Sequence, residues 1–162
     1  VWHFFSSPIS AKSLLKCKYA LVAAFSFLVT AICSIIGIVV FQPSAKVIAV
    51  SLIESAFLII ALAMVSVEFG IRGADFVEIP RPRMIRPWTA IANFILCLIA
   101  GSAILAPLLP HVAAKMGIPI TLAQFDLYIS LMVSGLIAST ITYIFYRLAL
   151  KRAKDFLINA EA

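Results

Sequence analysis

Residues 47–109 read VIAVSLIESAFLIIALAMVSVEFGIRGADFVEIPRPRMIRPWTAIANFILCLIAGSAILAPLL, two long apolar runs held apart by a short segment crowded with arginine. Arg72, Arg81, Arg83 and Arg86 fall within fifteen positions of that segment. A hydrocarbon core about 30 Å thick takes about twenty apolar residues at about 1.5 Å rise each, so each flanking run is long enough to cross it as a helix. The pattern therefore reads as two membrane spans joined by a charged loop.

The same reading extends along the chain. Hydrophobic residues make up 64% and charged residues 12% of the sequence, with a mean hydropathy of +1.12, far from the composition of water-soluble domains. Four apolar windows are long enough to span, at about 19–41, 47–69, 88–109 and 127–149. The strict alternation of a transmembrane barrel is missing from them, and helices satisfy the backbone internally in lipid. The expected fold is all-α, a polytopic membrane protein with four transmembrane helices over 19–149, preceded by a short interfacial helix within 1–18 and followed by a basic tail at 150–162.

Basic residues in short loops are retained on the cytoplasmic side. Eleven of the thirteen Lys and Arg lie before span one, between spans two and three, or after span four, and only Lys46 and Lys115 lie on the other side. Both termini are thus expected in the cytoplasm and the protein in the cell membrane as a multi-pass chain. The net charge of +6 follows from this arrangement and from attraction to acidic lipid headgroups, without any need for nucleic acid. Val1 opens the chain in place of Met, and Trp2, His3, Phe4 and Phe5 form no leader, so the chain reads as part of a longer protein.

The segments differ in character. Ser10 is placed to cap a helical run in which Lys12, Lys16 and Lys18 face polar surroundings while Leu14, Leu15 and Cys17 offer an apolar side, either a topology anchor or a docking surface. Pro43 marks a tight turn between spans one and two. In the arginine loop, Pro80, Pro82 and Pro87 disfavour a continuous helix, and Asp75 and Glu78 offer local ion pairs. The segment at about 109–126 stays apolar although Pro107, Pro110 and Pro119 interrupt it, so short helices dipping back against the protein are expected there.

Glu54 stands about eight residues into the second span, at a depth where an ionised side chain costs about 2.5–3.5 kcal/mol on insertion scales. It reads as the sole acid well inside a span. Three roles stay open for it: a hydrogen bond within the bundle, with Ser26, Thr30, Asn93 and Ser134 as candidate partners; proton or cation coupling; and the lining of a substrate path. Asn93 is a second intramembrane polar residue. Gly101, Ser102, Ser130, Ser134, Gly135, Ser139, Thr140 and Thr142 gather in spans three and four, where small side chains let helices approach closely or line a polar pathway.

No catalytic residue emerges. The chain carries no GxxxxGKS/T stretch for a nucleotide phosphate, no HExxH pair for zinc and no cluster of acids for magnesium, and Cys17, Cys33 and Cys97 have no metal-ligand spacing. His3 and His111 fall on opposite sides of the membrane and read as ordinary interfacial side chains. No cofactor and no metal is expected in this chain.

Two stretches carry a family resemblance. The opening FFSSPISAKSLLKCKYALV (residues 4–22) resembles the cytoplasmic segment of ABC-2 type transporter permeases, with Phe5, Ser6, Ser7, Pro8, Ile9, Ser10 and Lys16 or Lys18 at the matching positions. GIRGADFVEIPRPRMI (residues 70–85) is similar to a later cytoplasmic loop of such permeases through Gly73, Asp75, Phe76, Pro82 and Ile85. The resemblance implies the last four spans of a six-span exporter subunit, working with a second permease copy as homo- or heterodimer and with a separate ABC-type ATPase that binds the ATP. It implies ATPase contact through Ser7, Pro8, Ile9 and Ser10, to which Arg81 and Arg83 of the basic loop are added. Two alternatives remain beside it: a stand-alone ion-coupled small transporter using Glu54, and a membrane assembly subunit that moves no cargo.

Overall fold

A computed structural model describes residues 11–73, 87–115 and 126–161. Those residues form helices and no strand. In chain order they are α1 (Ala11–Phe41), α2 (Ala45–Gly73), α3 (Pro87–Leu105), a 3-10 turn (Ala106–Leu108), α4 (Leu109–Lys115) and α5 (Leu127–Glu161). Four helical segments are long and apolar enough to cross a membrane, namely Leu15–Phe41, Ala45–Arg72, Pro87–Ala113 and Leu127–Ala153. The protein is an all-α membrane protein with four candidate transmembrane helices.

Local chemistry explains the breaks. The basic stretch at 12–18 runs without interruption into the first span, so the lead-in expected there is the first turns of α1. Gln42 ends α1 in the left-handed region at φ 44°, its N–H donating to the Ile38 carbonyl at 3.0 Å, and Pro43 then prevents continuation. The Ser44 carbonyl accepts the first bond of α2 from Ile48 N–H at 3.1 Å, and the Asp126 carbonyl does the same for α5 with Ser130 N–H at 3.0 Å. Pro107 and Pro110 have no N–H to give, and the chain tightens into the 3-10 turn where α3 stops. Of the Pro-broken segment expected to dip back as short helices, the described part forms the 3-10 turn and α4, which carry the third candidate span on to Ala113, and residues 116–125 lie outside the described residues.

Helix α2 is the hub. It packs on α1, α3 and α5, most extensively on α5, while α1 and α3 flank the α2–α5 pair without substantial contact with each other. Small residues make the close approaches possible: Ala61, Ala63, Ala138, Ala149 and Ala153 are all buried. Two cores result. One gathers Ala61, Ile104 and Ala138 with Phe57, Leu58, Ile137 and Ile141, and the other gathers Leu15, Met64, Val67 and Ala149 with Tyr19, Phe145 and Tyr146. Gly135 belongs to the first contact, since a Cβ at that position would lie 3.1 Å from the Phe57 ring. The outward faces carry exposed Leu21, Phe25, Leu28, Ile36, Phe94 and Leu136, a surface suited to lipid tails rather than water.

Chain direction then sorts the bundle into two ends. Lys12, Lys16, Lys18, Arg72, Arg147, Lys151 and Arg152 lie at the end where α1 starts and where α2 and the membrane-spanning part of α5 finish. Lys46, His111 and Asp126 lie at the opposite end.

Candidate functional site

Helices α2 and α5 run parallel, both starting at the opposite end. About a third of the way along α2, Glu54 is 4% exposed. Ser134 of α5 lies beside it, yet the Ser134 hydroxyl donates to the Ile104 carbonyl at 2.7 Å. Both carboxylate oxygens of Glu54 are buried without a hydrogen-bond partner among the described residues. One turn earlier on the same face of α5, the Ser130 hydroxyl is buried and equally unpartnered. Buried polar atoms are nearly always paired, and exceptions call for an explanation in terms of strain, a ligand or a functional role.

A cavity supplies the context. Its volume is about 810 Å³, and it lies between the first half of α2, the 3-10 turn, α4 and the start of α5. Val47, Val50, Leu58, Leu105, Leu108 and Leu127 make most of the wall apolar, and Lys46, Glu54, His111 and Asp126 are its ionisable members. Lys46 and Asp126 are exposed at the rim. Helical spacing accounts for the α2 side of this wall, because positions 47, 50, 51, 54, 55 and 58 recur at three and four residues along one face. A second hollow of about 500 Å³ lies in the other half of the bundle, where Lys16, Tyr19, Phe57, Tyr143 and Tyr146 line it.

The basic end is built differently. Glu68 is 2% exposed and pairs with Arg152 of α5. The second apolar window was read to about residue 69, with Glu68 at its end; α2 continues to Gly73, and Glu68 is buried in the bundle. Glu54 is therefore one of two buried acids on α2, Glu68 lying four residues from the Arg72 end of the candidate span and Glu54 well inside it. Around this pair, Tyr19 of α1 donates its hydroxyl to the Ile60 carbonyl at 3.3 Å, and the Arg147 guanidinium sits 5.6 Å from the Tyr143 ring centre.

Of the other residues singled out from sequence, Asn93 is not at the cavity. Its side-chain carbonyl accepts the Cys97 thiol at 3.6 Å, and Ser66 Oγ lies 3.8 Å from the same sulfur, so it belongs to the α2–α3 contact. Thr140 and Thr142 donate to carbonyls one turn back on their own helix, which spends their hydroxyls locally rather than on a pathway. Ser7, Pro8, Ile9, Ser10, Arg81 and Arg83 lie outside the described residues. His111, read as an ordinary interfacial residue, is a wall residue of the cavity whose Nδ1 is buried without a partner among the described residues. Its neighbours Pro107 and Pro110 were the available sign, because a broken helix returns nearby side chains to the bundle. Arg152 gave no such sign, being one of several basic residues after the last span.

Compared with models of known protein families, with curated proteins and with solved structures, the chain matches none.

Proposed function

We propose that the chain is the transmembrane subunit, or the C-terminal portion of one, of an ABC-2 type exporter, driven by ATP hydrolysis on a separate subunit. The observation that carries this reading is the unequal build of the α2–α5 pair. One end is hollowed by a cavity whose wall includes the buried Glu54, and the other is tied by the Glu68–Arg152 pair and surrounded by cations. Both helices are continuous between the two ends, so a push at the basic end reaches the cavity as a shift of packed helices between two arrangements. The basic end then faces the cytoplasm of the cell membrane, in keeping with retention of Lys and Arg on that side, and the ATPase docks there through Ser7, Pro8, Ile9, Ser10, Arg81 and Arg83. A second permease copy completes the pathway.

Co-reconstitution of the full-length protein with its ATPase subunit tests the proposal. ATP-dependent export should be abolished by the double charge reversal Arg81→Glu and Arg83→Glu while membrane insertion is retained; unchanged coupling in that variant overturns the contact.

A second reading, an ion-coupled transporter, is favoured by the unpartnered Glu54 carboxylate, since ionisable groups inside a span line ion or proton routes. The two readings part on energy source. A protonophore should leave flux intact under the first and abolish it under the second.

A further inference from the structure

The geometry points to the cavity between α2, α4 and α5 as a binding site for an amphipathic organic cation: an aromatic or aliphatic body bearing one protonated amine. The inference rests on the transport reading for its purpose, and names the class of cargo.

Size and lining set the body of the ligand. About 810 Å³ falls within the range of about 300–1,000 Å³ typical of small-molecule sites, which combine apolar walls with a few placed polar groups. Valine and leucine side chains from α2, α3, the 3-10 turn, α4 and α5 form that wall here.

Charge sets the head. Lys46 and Asp126, both exposed at the rim, cancel each other. The remaining formal charge in the wall is that of Glu54, 4% exposed and with neither oxygen hydrogen-bonded among the described residues. A buried anion is strongly disfavoured until it is paired, and an ammonium group brings both the opposite charge and N–H donors for the carboxylate. His111 lies in the same wall, and its Nδ1, buried without a partner among the described residues, is a second acceptor in the tautomer protonated at Nε2. A neutral ligand of the same shape would leave Glu54 unpaired, and an anionic one would set like charges together in a medium of low dielectric. Selectivity for cations thus comes from the cost of the wrong ligands as much as from the attraction of the right one.

Three probes sharing one ring system separate these cases: 1-naphthylmethylammonium, 1-naphthylmethanol and 1-naphthylacetate, each measured by equilibrium dialysis against the full-length protein in lipid nanodiscs, with empty nanodiscs subtracted. The ammonium should bind about tenfold or more tightly than the other two, the margin of a charge-assisted hydrogen bond. Glu54→Gln should bring the ammonium down to the level of the alcohol while leaving the alcohol within about twofold of its original affinity. Val112→Trp, which adds bulk from an exposed wall position, should weaken all three probes. Equal binding of ammonium and alcohol, an ammonium preference that survives Glu54→Gln, or no binding above empty nanodiscs overturns the assignment. Binding is read without flux, so ammonium binding in a protein that transports nothing sinks the transport reading alone. ATP-driven export of another cargo with no ammonium binding sinks this inference alone.

Discussion

Glu54 and Glu68 stand on the same helix, fourteen residues apart, which is about 21 Å along the axis and within about 40° of one face. Both are almost fully buried. Glu68 meets Arg152 across the α2–α5 contact beside a core that Leu15, Met64, Val67 and Ala149 fill, whereas Glu54 has no hydrogen-bond partner among the described residues and borders the cavity. The same residue type is thus a fastening at one end and an unmet requirement at the other. Removing one partner of a buried pair leaves an uncompensated charge, while removing an unpaired acid relieves one. The contrast gives opposite signs for mutations at the two places, and stability measurements can check it.

The largest effect is expected at the fastening. Arg152→Ala strands Glu68 and should destabilise the fold by roughly 3 kcal/mol, at the lower end of the range for broken buried pairs because the guanidinium side chain is 36% exposed. Thermal unfolding in detergent should show a clear fall in midpoint. Combining Arg152→Leu with Glu68→Met should recover most of it, and a double variant as unstable as the single one would remove the ion pair from the explanation.

Next comes Ser134→Ala, which removes the 2.7 Å bond to the Ile104 carbonyl and should cost about 0.5–1.5 kcal/mol, seen as a modest shift in the same unfolding curve. The close contact between the two regions follows. Gly135→Ala sets a Cβ 3.1 Å from the Phe57 ring, which must shift by a few tenths of an ångström, and should cost up to about 1 kcal/mol because part of the overpacking is offset by the better helix propensity of alanine. Gly101→Ala is its control, since its nearest neighbour there is Leu58 Cδ2 at 3.9 Å, and it should be neutral or slightly stabilising. Equal behaviour of the two variants in the unfolding assay would contradict the tight α2–α5 approach.

The smallest effect belongs to the cavity. Glu54→Gln should change stability by less than about 1 kcal/mol, with stabilisation the expected sign, because it replaces an ionisable buried group with a neutral carboxamide of the same shape. A loss as large as that of Arg152→Ala would mean that Glu54 has a structural partner, and the difference between the two ends would collapse.

Much of the architecture was legible in residue order. Runs of Leu, Ile, Val, Ala and Phe long enough to cross a bilayer can be satisfied only as helices, and the structure has four of them near the expected windows. Pro43, Pro107 and Pro110 announced their breaks because a missing N–H acts locally. Glu54 was legible as an anomaly, since one acid among apolar neighbours needs no partner to be noticed. Glu68 was missed because it stands at the end of its apolar window, and hydropathy does not show that its face of α2 packs against Arg152. His111 was missed because its value depends on the cavity that α2, α4 and the start of α5 line together, which the order of residues does not show.

The sequence by itself determined that this chain lives in a membrane as four helices, with cations gathered at one end, because hydrophobic length and local backbone chemistry are properties of consecutive residues. Only the tertiary structure decided that Arg152 answers Glu68, that no side chain among the described residues answers Glu54, and that a cavity opens beside it. Those outcomes depend on which faces of α2 and α5 meet and at what height, a matter of side-chain packing between residues as many as eighty-four positions apart.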